Sequence, residues 1–347
     1  MELLGENTCR HDDMSPYRRV GDRLYFPFAF LRMYLDRFTD DNDVIHLDER
    51  TEEPFFVLDA ASGEVLDKSR GRTGVTQADL YREQVGRFHF ENWYDEVPPE
   101  STFRSFWIDL AEELVRGLLA GDPGGEVAAF LDAQIASKSV ETALPPPYFL
   151  RLNSVSPKDA STEPVSTGAQ IASILRSSSR TRGTLAEAQF PAKVVLREYV
   201  RDMPRHMEFR CFVRGDRLRA ISQYDWCSYY PELSEDERLQ EDLTERIRRF
   251  HEYLLNEDGR FPYEDCVMDV VVLEDRREAS VGGFGVFVVE FNTFGGEMIA
   301  GSALFNWSRD RTILYESEKA TMRVAQKPLC AYDVFSFEEK DATRQPG

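Results

Sequence analysis

Phe287-Val288-Val289-Glu290-Phe291-Asn292-Thr293-Phe294-Gly295-Gly296-Glu297 reads as an apolar strand that ends in a carboxylate, a carboxamide and a glycine pair. Side chains two apart on a strand point the same way, so Glu290 and Asn292 share a face. Their oxygens can converge on one point, the way a hard cation such as Mg²⁺ is held beside phosphates. The glycine pair then lets the backbone turn sharply.

Upstream of this stretch, Asp269 interrupts the strand Val267-Met268-Asp269-Val270-Val271-Val272-Leu273. An acid in such a run is costly unless it has a partner. If the two strands pair, Asp269, Glu290 and Asn292 can share a cation. The competing reading is a pair of edge-strand acids facing water. Further back, Met207–Val213 and Leu218–Gln223 form a hairpin around Arg214-Gly215-Asp216-Arg217. Glu208 and Arg210 share one face of its first strand. Arg151 lies within the apolar strand Tyr148–Leu152, and Arg197 ends the run Val194-Val195-Leu196-Arg197. A guanidinium on a rigid strand matches phosphate oxygens with its fork. Taken singly, each arginine is better read as a structural ion pair, Arg210 with Glu208 or with a neighbouring acid for instance. Three on separate strands beside the metal-like triad favour phosphate.

The chain has 347 residues, enough for one large domain or two moderate ones. With 42% hydrophobic and 12% aromatic residues it can bury a substantial core. No apolar run is long enough to cross a bilayer, and Met1-Glu2-Leu3-Leu4-Gly5-Glu6 has neither a basic start nor an apolar block, so no membrane anchor or signal peptide is expected. The five cysteines are widely spaced without a CxxC pair, which disfavours zinc and a disulfide framework and suits reduced thiols in the cytoplasm. A formal net charge of −20 repels nucleic acid and suits a basic partner or a simply solvated surface. Walker A, GxGxxG, GxSxG and HExxH sequences are all missing, and the five histidines share no metal or triad spacing.

Residues 1–84 alternate short apolar runs with acidic turns. Tyr25–Tyr34 is strongly apolar, and Phe55–Leu58 with Glu64–Leu66 reads as a hairpin. Residues 85–190 are expected to be mostly helical, with Phe103, Phe106, Trp107, Leu110, Leu114 and Leu118 at helical spacing until Pro123-Gly124-Gly125. A short helix is expected at Ala169–Leu175, followed by a mobile Arg176–Gly183. Residues 191–330 hold most strand signals and a helix with a Ser234/Glu237 capping box and the stripe Leu239, Leu243, Ile247, Phe250 and Leu254. Residues 331–347 form a polar tail, frayed from Glu338.

These residues carry a resemblance to the cell division cycle protein 123 family. Met207-Glu208-Phe209-Arg210-Cys211-Phe212-Val213, Leu218–Asp225, Tyr229-Tyr230 and Val289–Gly295 look like its motifs, as do Phe90–Tyr94, Leu152–Ala160 and Ser302–Trp307. The resemblance covers about residues 85–310. It implies an α+β, ATP-grasp-like fold, two α+β lobes with antiparallel sheets sandwiching ATP, so that 85–190 and 191–330 are the lobes and 1–84 an extension. It implies that Arg151 and Lys158 contact phosphates, and that Val194, Val195 and Leu196 form the hinge strand whose backbone meets adenine. Arg197 and Glu208 belong with this ATP set, Arg210 faces the γ-phosphate as the catalytic candidate, and Asp269, Glu290 and Asn292 bind Mg²⁺. Some positions depart from the family pattern: Glu290 stands for an aspartate, Thr293 for a proline and Gly301 for an acid, and the Gly295-Gly296-Glu297 turn is longer.

The resemblance implies an ATP-bound chaperone that helps assemble translation initiation factor 2 through its γ subunit. An ATP-grasp protein can instead be a carboxylate–amine ligase that activates a small-molecule carboxylate as an acyl phosphate before an amine displaces phosphate. A third reading, an enzyme acting on RNA ends, is the one that the charge disfavours.

Overall fold

Four short strands precede residue 60: β1 (Arg18–Val20), β2 (Arg23–Pro27), β3 (His46–Leu47) and β4 (Pro54–Asp59). They pair antiparallel in the order β1-β2-β4-β3. The computed structural model describes residues 18–20, 23–27, 46–47, 54–59, 86–122, 124–161, 163–186, 188, 191–256, 261, 263–294, 301, 303–305, 307 and 310–327. The expected strand Phe55–Leu58 is therefore present, with Phe56 opposite Phe26 in register. Its expected partner Glu64–Leu66 lies outside the described residues, as do Gly295-Gly296-Glu297, Ser302, Asn306 and the tail from Glu338.

By its contacts the chain divides into Phe88–Met203 and a second unit, Met1–Arg87 with Pro204–Gly347. In Phe88–Met203, β5 (Ser105–Leu110), β6 (Tyr148–Leu152) and β7 (Ala192–Glu198) form an antiparallel sheet in the order β5-β7-β6. The strand β5 corrects the helix expected across this run. Phe106, Ile108 and Leu110 are buried while Asp109 between them is exposed, a period of two rather than 3.6. Leu114 and Leu118 do fall on a helix, α2 (Glu112–Leu119), which follows the short α1 (Phe90–Trp93). One face of the sheet buries Phe106, Ile108, Leu150, Val194 and Leu196 against Leu118, Leu131, Ile171 and Leu175 of the helices.

Asp122 starts the long helix α3 (Glu126–Glu141), because its carboxylate accepts from the backbone N–H groups of Val127 and Ala128. The helix α4 (Gly168–Ser177) extends the expected Ala169–Leu175 and opens on a Thr167/Gln170 capping box. Gly168 allows it to touch α3, since a Cβ there would lie 2.1 Å from the Ala128 carbonyl oxygen. The expected mobile stretch Arg176–Gly183 is instead mostly helix: α5 spans Ser179–Ala186 and buries Thr181. Asp159 holds its start by accepting from Ser178 Oγ at 2.5 Å, Ser179 N at 2.8 Å and Ser179 Oγ at 2.6 Å. Those bonds, the hydroxyls of Ser178 and Ser179 foremost, keep the Asp159 carboxyl well below the usual carboxylate range.

The second unit is built on a five-stranded mixed sheet, β8 (Glu208–Val213), β9 (Leu218–Gln223), β10 (Cys266–Val272), β11 (Val286–Asn292) and β12 (Thr321–Arg323), in the order β11-β10-β8-β9-β12. The β8–β9 hairpin closes as the sequence predicts. Gly215 and Asp216 both have positive φ, +59° and +55°, as a two-residue turn matched to strand twist requires. Asp265 braces the turn by accepting from Gly215 N at 2.8 Å and Arg214 Nη1 at 2.5 Å. After the turn α6 (Pro231–Ser234) comes α7 (Glu237–Asn256), whose expected stripe is buried at Leu243, Ile247, Phe250 and Leu254. Its cap is not Ser234, which lies inside α6. Asp236 takes that role, accepting from Leu239 N at 3.0 Å.

His251 on α7 is 2% exposed and packs edge-on against Phe261, which in turn meets Phe291. Burial holds its pKa down to about 4. The imidazole is neutral in the fold, whereas the unfolded chain protonates it below about pH 6.5. The unfolded state therefore binds more protons between those values, and stability drops as pH falls through that window. Urea unfolding followed from pH 7 to pH 4 should show a loss of at most about 3 kcal/mol from this group. His251→Leu should flatten the profile by that amount.

Candidate functional site

The polar residues of the five-stranded sheet form one row. Asp269 on β10 is the register partner of Glu290 on β11 and of Arg210 on β8, and Arg210 in turn faces Ser222 on β9. Antiparallel partners project to the same side, so Glu290, Asp269, Arg210 and Ser222 lie side by side on one face. Asn292 joins them by the two-residue alternation, and its Nδ2 lies 3.4 Å from Asp269 Oδ2. A β-bulge between Asp269 and Val270 adds one residue to β11 and re-aims the strand just before Glu290.

Arg210 is the centre of this row. Its Nε and Nη2 each donate to one oxygen of Asp269, both at 2.8 Å. Nη1 donates to the Gly301 carbonyl at 2.7 Å, and the guanidinium lies 5.0 Å from the Tyr224 ring centroid. Asp269 is wholly buried, so this forked pair is what allows a carboxylate inside the sheet. Burial works against the charge on Arg210, but the Asp269 carboxylate outweighs it and raises the guanidinium pKa above its ordinary value. Of the ion pairs expected for Arg210, with Glu208 or with a neighbouring acid, the structure shows the second, with Asp269. Glu208 sits two residues earlier on β8, opposite Val271. Below the row, Phe212, Ala220 and Val267 pack with Phe305, Trp307 and Leu314, so these residues cover this side of the sheet.

The row fits a hydrated cation shared with phosphate better than a closed metal cage. Among the described residues no group of three or more His, Cys, Asp or Glu side chains can hold a metal. Mg²⁺ is characteristically held by one or two carboxylates, with phosphate and water completing the shell. Asp269 and Glu290 stand directly opposite each other, and like charges in that arrangement repel. Arg210 compensates one of the two. Each Asp269 oxygen accepts one bond from Arg210, and Oδ2 also accepts from Asn292 Nδ2. Asp269, Glu290 and Asn292 are therefore compatible with Mg²⁺.

The remaining expected residues lie in the Phe88–Met203 unit. Arg151 is 5% exposed on β6 and donates from Nε to the Leu152 carbonyl at 3.1 Å. Burial, then the charge of Arg151, lowers the pKa of nearby His89. Arg197 is 3% exposed, its guanidinium 5.3 Å from the Phe90 ring and 5.4 Å from Phe103. That setting packs Arg197 between aromatic faces. Lys158 is exposed in a turn. Val194, Val195 and Leu196 are fully buried in the middle strand, laddered to β5 on one side and β6 on the other. Their amides and carbonyls are committed to those ladders, so they cannot supply the backbone expected to meet adenine.

Several functional-looking residues escaped the sequence reading. Lys193 Nζ bridges Glu91 of α1 at 2.9 Å and Asp109 at 2.7 Å, on the sheet face opposite α3 and α4. Asn153 binds Glu91 in turn at 3.2 Å. Reading Ser105–Leu110 as a strand is the signal that would have placed Asp109 beside Lys193. Tyr224 and Ser222 flank Arg210, and only the hairpin register brings them there.

Comparison with known proteins follows the same lines. The D123 family profile matches residues 133–336. A CDC123-like protein of Acanthamoeba polyphaga mimivirus is 27% identical over 331 residues, which cover 91% of this chain and 99% of that protein. The translation initiation factor eIF2 assembly protein of Danio rerio is 33% identical over 156 residues, 44% of this chain and 39% of that protein. The corresponding Xenopus laevis protein is 34% identical over 121 residues, only 30% of its own length. Among solved structures, Cdc123 from Schizosaccharomyces pombe superposes with a TM-score of 0.56 at 25% identity, covering 71% of this chain and 98% of that one. The α+β class expected from the sequence is the one observed, with antiparallel and mixed sheets. No helix among the described residues is long and apolar enough to cross a membrane.

The buried pair sets a clear expectation for mutants. Asp269→Ala leaves the Arg210 guanidinium buried without its carboxylate and should destabilise by about 3–5 kcal/mol. Glu290→Gln, at the partly exposed end of the row, should cost less than about 1 kcal/mol. Urea midpoints at constant m-value separate the two outcomes.

Proposed function

The chain belongs to the D123 family, and on that premise we propose that it is an ATP- and Mg²⁺-binding assembly factor for translation initiation factor 2. The observation that carries the nucleotide half is the register row itself. Arg210, Asp269 and Glu290 stand on three adjacent strands as direct partners, with Asn292 on the same face. The near full-length match to the mimivirus CDC123-like protein and the partial matches to the eIF2 assembly proteins support the assembly half.

In this reading Asp269, Glu290 and Asn292 hold Mg²⁺, which when bound neutralises phosphate charge. Arg210 keeps Asp269 ionised and oriented. Three of its N–H groups serve Asp269 and Gly301. Of the five a guanidinium carries, two remain for a γ-phosphate oxygen. ATP acts as a ligand that stabilises the state it binds, and the acidic surface meets a basic face of the partner, proposed to be the γ subunit.

Titration calorimetry tests the site. ATP with Mg²⁺ should bind the wild-type chain, and Glu290→Gln should weaken it by at least about tenfold while adenosine binding is unchanged. Equal ATP affinity in the variant would refute the metal row. With ATP binding intact, failure to capture the γ subunit of translation initiation factor 2 would refute the assembly role. ADP release that requires both a carboxylate and an amine would make the protein a ligase instead.

A further inference from the structure

We infer that the outer edge of the five-stranded sheet is a docking groove for an extended, basic segment of a partner protein. β12 is the last strand at that edge, and among the described residues no strand lies beyond it. An edge strand offers a line of backbone donors and acceptors to an incoming chain. Its three residues are only half-buried. The helix α7 runs alongside, with Thr244 Oγ1 3.7 Å from Met322 Sδ.

Two cavities of about 440 and 380 Å³ open along this line. Gln240 and Met322 line both, so they form one continuous groove. Its floor toward the end of β12 is apolar, with Leu304, Val324 and Ala325. Its wall on α7 is acidic, with Glu237 and Glu241.

Charge selects the occupant. Glu237 and Glu241 are exposed and one helical turn apart. Neither makes a hydrogen bond or ion pair through its side chain among the described residues. Elsewhere along the groove Glu245 pairs with Arg248 and Arg323 with Asp310 at 2.7 Å, while Lys327 is exposed at the far end, away from Glu237 and Glu241. The unmatched wall is negative, on a chain whose formal net charge is −20. A segment laid beside β12 would turn alternate side chains toward the groove. Apolar ones would meet Met322 and Val324, and basic ones would meet Glu237 and Glu241. This edge is the one opposite Glu290 in the strand order, and the inference does not rest on nucleotide binding.

The test uses the full chain and a fluorescent peptide repeating lysine-threonine-valine-threonine, whose one strand face alternates lysine with valine, followed by anisotropy. Saturable binding is expected, and the double variant Glu237→Lys/Glu241→Lys should weaken it by at least about tenfold. Glu113→Lys/Glu126→Lys, an exposed pair in the Phe88–Met203 unit, should leave it unchanged. N-methylation of alternate peptide amides should abolish it. The inference is overturned if the groove variant binds as tightly as the wild type, if both double variants weaken binding equally, or if the N-methylated peptide binds undiminished.

Discussion

Everything on the polar face of the large sheet depends on one forked ion pair. Asp269 has no exposed surface, and a lone carboxylate at that depth would take up a proton or disrupt the strand. Arg210 meets both its oxygens from the adjacent strand. The same guanidinium is tied to the segment that covers the sheet through the Gly301 carbonyl. One side chain therefore sets the charge state of the row, its register and its cover.

The two units treat their cationic side chains differently. In the second unit Arg210 remains directed into a polar row beside Glu290 and Asn292. In Phe88–Met203, Arg197 is drawn into an aromatic sandwich and Lys193 into a network of carboxylates. Burial alone does not distinguish these cases, because Arg151 and Arg197 are both nearly inaccessible. The distinction comes from what surrounds each guanidinium: ring faces stabilise it by packing, whereas a carboxylate pair fixes its direction.

Short-range features were legible from the residues. Alternation placed Glu290 with Asn292, an interrupted apolar run flagged Asp269, and Gly215-Asp216 marked the hairpin. Long-range register was not. Spacing left Glu208 and a neighbouring acid equally open as partners for Arg210, and only the strand register picks out Asp269, 59 positions away. The strand Ser105–Leu110 runs into α2 after only Ala111, so apolar residues of both elements mimicked a single helical stripe. Whether Val194–Leu196 was a middle or an edge strand depends on neighbours that periodicity does not reveal. The serine- and arginine-rich stretch after α4 looked mobile because its cap, Asp159, comes from a distant turn.

The bond from Arg210 to residue 301 is made to a main-chain oxygen. A Cβ at that position would lie 3.7 Å from Arg210 Nη1, an ordinary contact. The anchor therefore tolerates drift in the side chain at 301, and a lineage can change this residue freely while the cover stays attached. Variability at such a position would carry no information about whether the interaction persists.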